Sequence, residues 1–200
     1  MRSIYKIAIA IVIIICGFVV YDIVNHPYNG PDHLDEPVQV AIEPFTVSYM
    51  DNEGQEVSMT LFASYSALCG VKGVKKYTSD GASVLSPRDF VLTWGDLNAA
   101  DVDDEISYSQ SNRWYYYRYT GDSYVSSDYI GEHSANTHVI PENVVIERRL
   151  KKVGKNDLIL IEGYLAVVHF DNGDWSSSDT RTDKGNGACE ILYVTNIEIY

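Results

Sequence analysis

The sequence predicts a β-rich α+β domain, a bent antiparallel or mixed sheet carrying two or more helices, preceded by one N-terminal transmembrane helix. Three observations carry this expectation. Apolar residues alternate in strand-length runs from Val38 onward. A helix-start signal stands at Ser86-Pro87, and an amphipathic helix pattern runs from Pro141 to Val153. Ile7 to Tyr21 (IAIAIVIIICGFVVY) is an unbroken apolar or weakly polar run.

Taken in order, residues 1–24 read as the membrane anchor. A helix from Ile4 to Val24 spans about 31 Å at about 1.5 Å per residue, the thickness of a hydrocarbon core. A cleaved signal peptide competes, but no A-x-A-like site follows Val20. A lipoprotein signal is opposed by Ile13, Ile14 and Ile15 ahead of Cys16. Arg2 and Lys6 precede the run, and Asp22, Asp32, Asp35 and Glu36 follow it. The positive-inside rule then keeps the N-terminus cytoplasmic and sends the rest into the periplasm or outside the cell. Residues 25–37 contain Pro27, Pro31 and Pro37 with Gly30, and read as an extended tether. Its reach is about 30 Å at about 3 Å per residue.

Residues 38–200 read as the globular domain. Val38 to Tyr49 alternates with a slip at Pro44, which predicts a bulged strand, and Glu56 to Ser64 reads as its hairpin partner. Ser86-Pro87 predicts a helix through Trp94 that stops near Gly95. Ile106 to Tyr119 is dense in strand formers. Pro141 to Val153 predicts an amphipathic helix with Val145, Leu150 and Val153 near one face. Leu158 to Phe170 predicts a central strand in which Gly163 marks a bulge or a close backbone approach, and Ile191 to Tyr200 a closing strand.

Charge narrows the function classes. The chain carries a formal −13, and beyond the anchor 13 basic residues face 27 acidic ones. Such a domain is repelled by phosphate backbones and anionic lipid, so nucleic acid is not an expected partner. Nothing in the sequence calls for a cofactor. The acidic run Asp101 to Glu105 lacks the glycine and distal glutamate of a calcium loop. No metal site is expected either, since a zinc centre would have to draw on His133 and His169 with further ligands.

Two segments concentrate reactive side chains, His133 to Pro141 and Thr180 to Glu190. They supply the catalytic candidates Cys189, His138, Asn136, Arg181 and Asp183. A thiol beside an imidazole that is oriented by an amide or carboxylate is the requirement for a cysteine nucleophile. Cys189 has two other readings, a disulfide with Cys69 in an oxidising compartment or a buried thiol. Arg113, Trp114 and Tyr116 are candidates for a stacking surface. Strand alternation pairs Trp114 with Tyr116 on one face and Tyr115 with Tyr117 on the other, so at least one pair is expected in the core.

The runs LTWGDL, SYSQSNRWYYY, NTHVIP, IEGYL and TRTDKGNGACE resemble those of a bacterial family of small membrane-anchored exported proteins, over roughly Leu85 to Val194. The resemblance implies placement and a set of candidate residues, and no mechanism. The expected function is a binding or assembly role in the cell envelope, with the membrane and an envelope protein as partners. The alternative is a hydrolase or transferase using Cys189 and His138.

Overall fold

The computed structural model describes residues 27–50, 54, 56–122, 124–171, 173–178 and 189–200. The anchor expectation, on residues 1–24, and the first two residues of the tether lie outside them. Among the described residues no helix is long and apolar enough to cross a membrane.

The chain is β-rich, with a mixed sheet and short helices. Its organiser is a 21-residue strand. β1 (Val38–Met50) pairs antiparallel with the first half of β2 (Glu56–Lys76), with a register shift between Ala41 and Phe45 where Pro44 cannot donate. The second half of β2 pairs with β3 (Arg88–Thr93). Two further strands, β4 (Ile106–Ser111) and β5 (Trp114–Tyr119), form a separate hairpin. β3 also pairs with β6 (Ser134–Pro141). β6 lies parallel to β9 (Glu190–Ile199), which pairs with β7 (Leu158–Phe170). β7 returns to β2 and closes a five-stranded barrel, while a short β8 (Gly173–Ser176) extends β7. The barrel order β2-β3-β6-β9-β7 has one parallel pair, and a helix follows its third strand in the chain. That is the connectivity of the Greek-key barrel of the OB type.

Helix α1 (Ala100–Asp103), the β4–β5 hairpin and helix α2 (Ser127–Glu132) are inserted between β3 and β6. They form a lobe with its own small core around Leu97, Val102 and Ile130. Helix α3 (Val144–Leu150) follows β6. Asn143 caps it by accepting from the N–H groups of Val145 and Ile146. Its Ile146 and Leu150, with Val153 beyond it, pack into the barrel core. The inward face therefore uses Ile146 where the sequence suggests Val145, which is exposed.

The predicted helix after Ser86-Pro87 is instead β3. Phe90, Val91 and Leu92 are all buried, because β3 sits between β2 and β6 and both its faces are covered. Two-sided burial overrides the local cap signal. Gly163 does mark a close approach, since a Cβ there would lie 2.0 Å from the Tyr193 carbonyl oxygen.

Residues 27–37 do not behave as a free spacer. Leu34 is buried with Trp94, Ala135 and Leu158, and exchanges two backbone hydrogen bonds with Gly95 of 2.9 and 3.0 Å. The Tyr28 ring covers the Lys72 ammonium at 4.9 Å. Apolar burial at Leu34 and the Gly95 bridge hold this part of the segment against the barrel.

Candidate functional site

The best-built polar site lies between the β3–β6 face of the barrel and the tip of the β4–β5 hairpin. Ser111 pairs with Trp114, leaving Asn112 and Arg113 as a two-residue loop, both at positive φ (53° and 69°). This is the geometry of a primed hairpin turn, costly for a residue with a Cβ. Contacts around Arg113 offset that cost. Its N–H donates to the Tyr77 hydroxyl (3.1 Å), Nε and Nη2 donate to the two Asp80 oxygens (3.0 and 2.7 Å), and Nη1 donates to Asp89 Oδ1 (2.7 Å). The guanidinium also stacks on Tyr77 at 3.9 Å.

Asp89 is the centre of the site and has no solvent exposure. The β3–β6 register sets Asp89 opposite His138, and Nδ1 of that histidine lies 2.8 Å from Asp89 Oδ1. The contact falls outside hydrogen-bond geometry and is ionic only with a protonated imidazole. Asn136, on the same face of β6, donates to the Arg113 carbonyl (2.9 Å) and, at 3.5 Å, to Asp89 Oδ2. It accepts from Gln110 Nε2 of the hairpin (2.8 Å). Trp175 of β8 packs on His138 with ring centroids 4.8 Å apart. The arrangement neutralises a buried carboxylate and clasps the hairpin to the barrel.

His138, Asn136, Cys189 and Arg113 are therefore brought to one place. The Cys189 thiol points to the Arg113 carbonyl at 3.8 Å, and among the described residues no hydrogen bond joins it to His138. Arg181 and Asp183 lie outside the described residues. Arg113 is turned into the clasp and away from any shared stacking surface with Trp114 and Tyr116, of which Tyr116 faces solvent. Tyr115 and Tyr117 face the protein and bond Ser134 and Ser127. Cys69 and Cys189 are not bonded to each other, because Cys69 points into the barrel core beside the Ile159 carbonyl while Cys189 sits at the clasp. Burial pushes the Cys69 thiol far above its ordinary pKa, so it is an inert apolar group.

Asp80, Asp89, Tyr77, Gln110 and Trp175 belong to the site and are not among the candidates drawn from sequence. Asp89 alone carries a local signal, a single acid at the head of the apolar run Phe90-Val91-Leu92. In a helix that position is a first turn, where an acid needs no partner; in a central strand it demands one.

A second surface is the edge of β1, which has a strand neighbour on one side only among the described residues. Its 13 residues carry one charge, Glu43, in a chain of net −13. Val38, Val40, Phe45 and Met50 are exposed apolar side chains along it. Near its end, a groove of about 460 Å³ opens between Tyr49 and Met50 and the Pro141–Val144 turn, with Tyr193 and Glu147 on its walls.

Comparison with known proteins finds no family model that matches the chain, and no curated protein or solved structure similar to it.

Proposed function

We propose that this protein is a membrane-anchored extracytoplasmic domain with a binding or assembly role in the bacterial envelope, and that the edge of β1 receives an extended segment of an envelope protein. The nearly uncharged open edge carries this reading. Elsewhere the molecule is strongly acidic, and natural edge strands are normally blunted by charge. Main-chain pairing at Phe45 to Ser48 supplies affinity, and alternate side chains supply choice. Nucleic acid is disfavoured on two counts. The net charge is of the wrong sign, and the β3–β6 face that serves oligonucleotides in such barrels lies under the hairpin with Asp89 beneath it.

A photo-crosslinking residue at Thr46 of the full chain in native membranes tests this. The expected product is an adduct with one envelope protein, lost when Val40 and Phe45 are both changed to Lys. Labelling of lipid alone would sink the proposal.

A hydrolase or transferase using Cys189 and His138 is the second reading. It is favoured by the carboxylate of Asp89 beside the imidazole, as in nucleophile–base–acid triads. It predicts native Cys189 alkylation far faster than in the unfolded chain. A rate at or below the unfolded one removes it.

A further inference from the structure

We propose that His33 to Glu36 form a pH-sensitive strap, fastened to the folded domain while His133 and His33 are protonated and loosened when they become neutral.

The two nitrogens of His133 both face acceptors. Nδ1 lies 2.9 Å from the Tyr129 carbonyl oxygen, and Nε2 lies 3.0 Å from Glu36 Oε1. A carbonyl and an ionised carboxylate can only accept, so both ring nitrogens need a proton. A neutral imidazole satisfies one of them. If it keeps the Tyr129 carbonyl, its other lone pair faces the Glu36 carboxylate, and an attraction becomes a repulsion.

A second pair works in the opposite sense. The strap's His33 offers Nδ1 to Asp96 Oδ1, just past β3, at 2.6 Å, whereas the strap's Glu36 meets His133 at the end of α2. Leu34 lies between the pairs and is bridged to Gly95. Gly95 stands at φ +60°, and a Cβ there would meet the Tyr129 hydroxyl at 2.4 Å and His133 Cδ2 at 2.5 Å. The strap, the imidazole and the Tyr129 ring stacked on it at 3.7 Å therefore share one tight seat.

The charged groups touching these imidazoles, among the described residues, are Glu36 and Asp96. Tyr129 faces both: its hydroxyl accepts from the Asp96 N–H at 3.0 Å, and burial followed by the Asp96 and Glu36 charges pushes its phenol up. Asp32 and Asp35 on the strap and Glu132 on α2 flank the pairs in the chain. Loss of the imidazole charge removes the ionic part of both contacts; a neutral His33 can still donate from Nδ1 to Asp96, but a neutral His133 cannot serve both of its acceptors. The Leu34 contact is unaffected, so the strap loosens and does not unfold the barrel. Loosening does not depend on an anchor ahead of the strap. With one, each freed residue would lengthen the link by about 3 Å.

Hydrogen exchange on the full chain in detergent reads this at the Leu34 and Gly95 amides. After correction for intrinsic rates, exchange at pH 8 should exceed that at pH 5.5 by about 5-fold, the scale of two partly exposed pairs. The Ile161 amide in the barrel core should not change. Glu36→Gln gives a neutral imidazole a donor to accept from, and with His33→Asn it should flatten the response. Equal protection at both pH values would overturn the proposal, as would a parallel change at Ile161 or a full response in the double variant.

Discussion

The hairpin clasp and the N-terminal strap both fasten an accessory segment to the same barrel with carboxylates, yet they differ in the cation. The clasp uses Arg113 against Asp80 and Asp89, with Asp89 sealed from solvent. A guanidinium stays charged at every physiological pH, so a clasp built on it is permanent. The strap uses His33 and His133, exposed or at the rim, and histidine is the side chain whose charge comes and goes near neutrality. Burial and a fixed charge make a structural joint; exposure and a titrating charge make a conditional one.

Breaking the clasp should have the largest effect. Arg113→Ala leaves Asp89 buried beside His138 without its guanidinium, and should cost about 3–5 kcal/mol in denaturant unfolding. Arg113→Lys should recover only part of this, since an ammonium cannot fork onto two carboxylates. A loss under about 1 kcal/mol for Arg113→Ala would mean that the clasp is incidental.

Leu34→Ala should come next. Removing the buried leucyl group takes about 2 kcal/mol or more from strap docking. Limited proteolysis should then cut between Tyr28 and Glu36 while the barrel's unfolding midpoint barely moves. If that midpoint falls as far as in Arg113→Ala, the strap is part of the core and the comparison fails.

The smallest effect is spectroscopic. Burial, reinforced by Cys69, Asp32 and Asp103, pushes the Tyr28 phenol up to about 12. The unfolded chain ionises first, so this contribution to stability is complete below about pH 10 and is lost as pH rises toward the folded value. The difference in phenolate absorbance between the parent and Tyr28→Phe isolates this group. It should titrate late in the parent background and move back toward the ordinary value in the Leu34→Ala background. A Tyr28 that titrates normally in both would detach it from the strap.

How much is legible in the sequence depends on whether a feature is local. β1 with its slip at Pro44, β7 with Gly163 and β9 are written in alternation and turn residues, and the structure places them where those signals lie, whereas α3 begins later than Pro141, which closes β6 and leaves Asn143 as the cap. β3 is not legible, because Ser86-Pro87 is a sound helix start and only burial between two strands makes Phe90 to Leu92 extended. Among the site candidates, His138, Asn136 and Arg113 can be named from residue type. Their convergence cannot, because it depends on the β3–β6 register and on the Asn112–Arg113 turn, which lacks the glycine that usually announces it.

By itself, the sequence determined a strand-rich chain with a strongly acidic composition and the positions of its strongest elements, since periodicity and composition act over a few residues. Tertiary structure alone decided that β2 closes a barrel with β7, that Asp89 requires Arg113, and that Leu34 pins a proline-rich segment to Gly95. Each of these joins residues far apart in the chain, and their energy comes from desolvation and charge pairing that exist only once the partners meet.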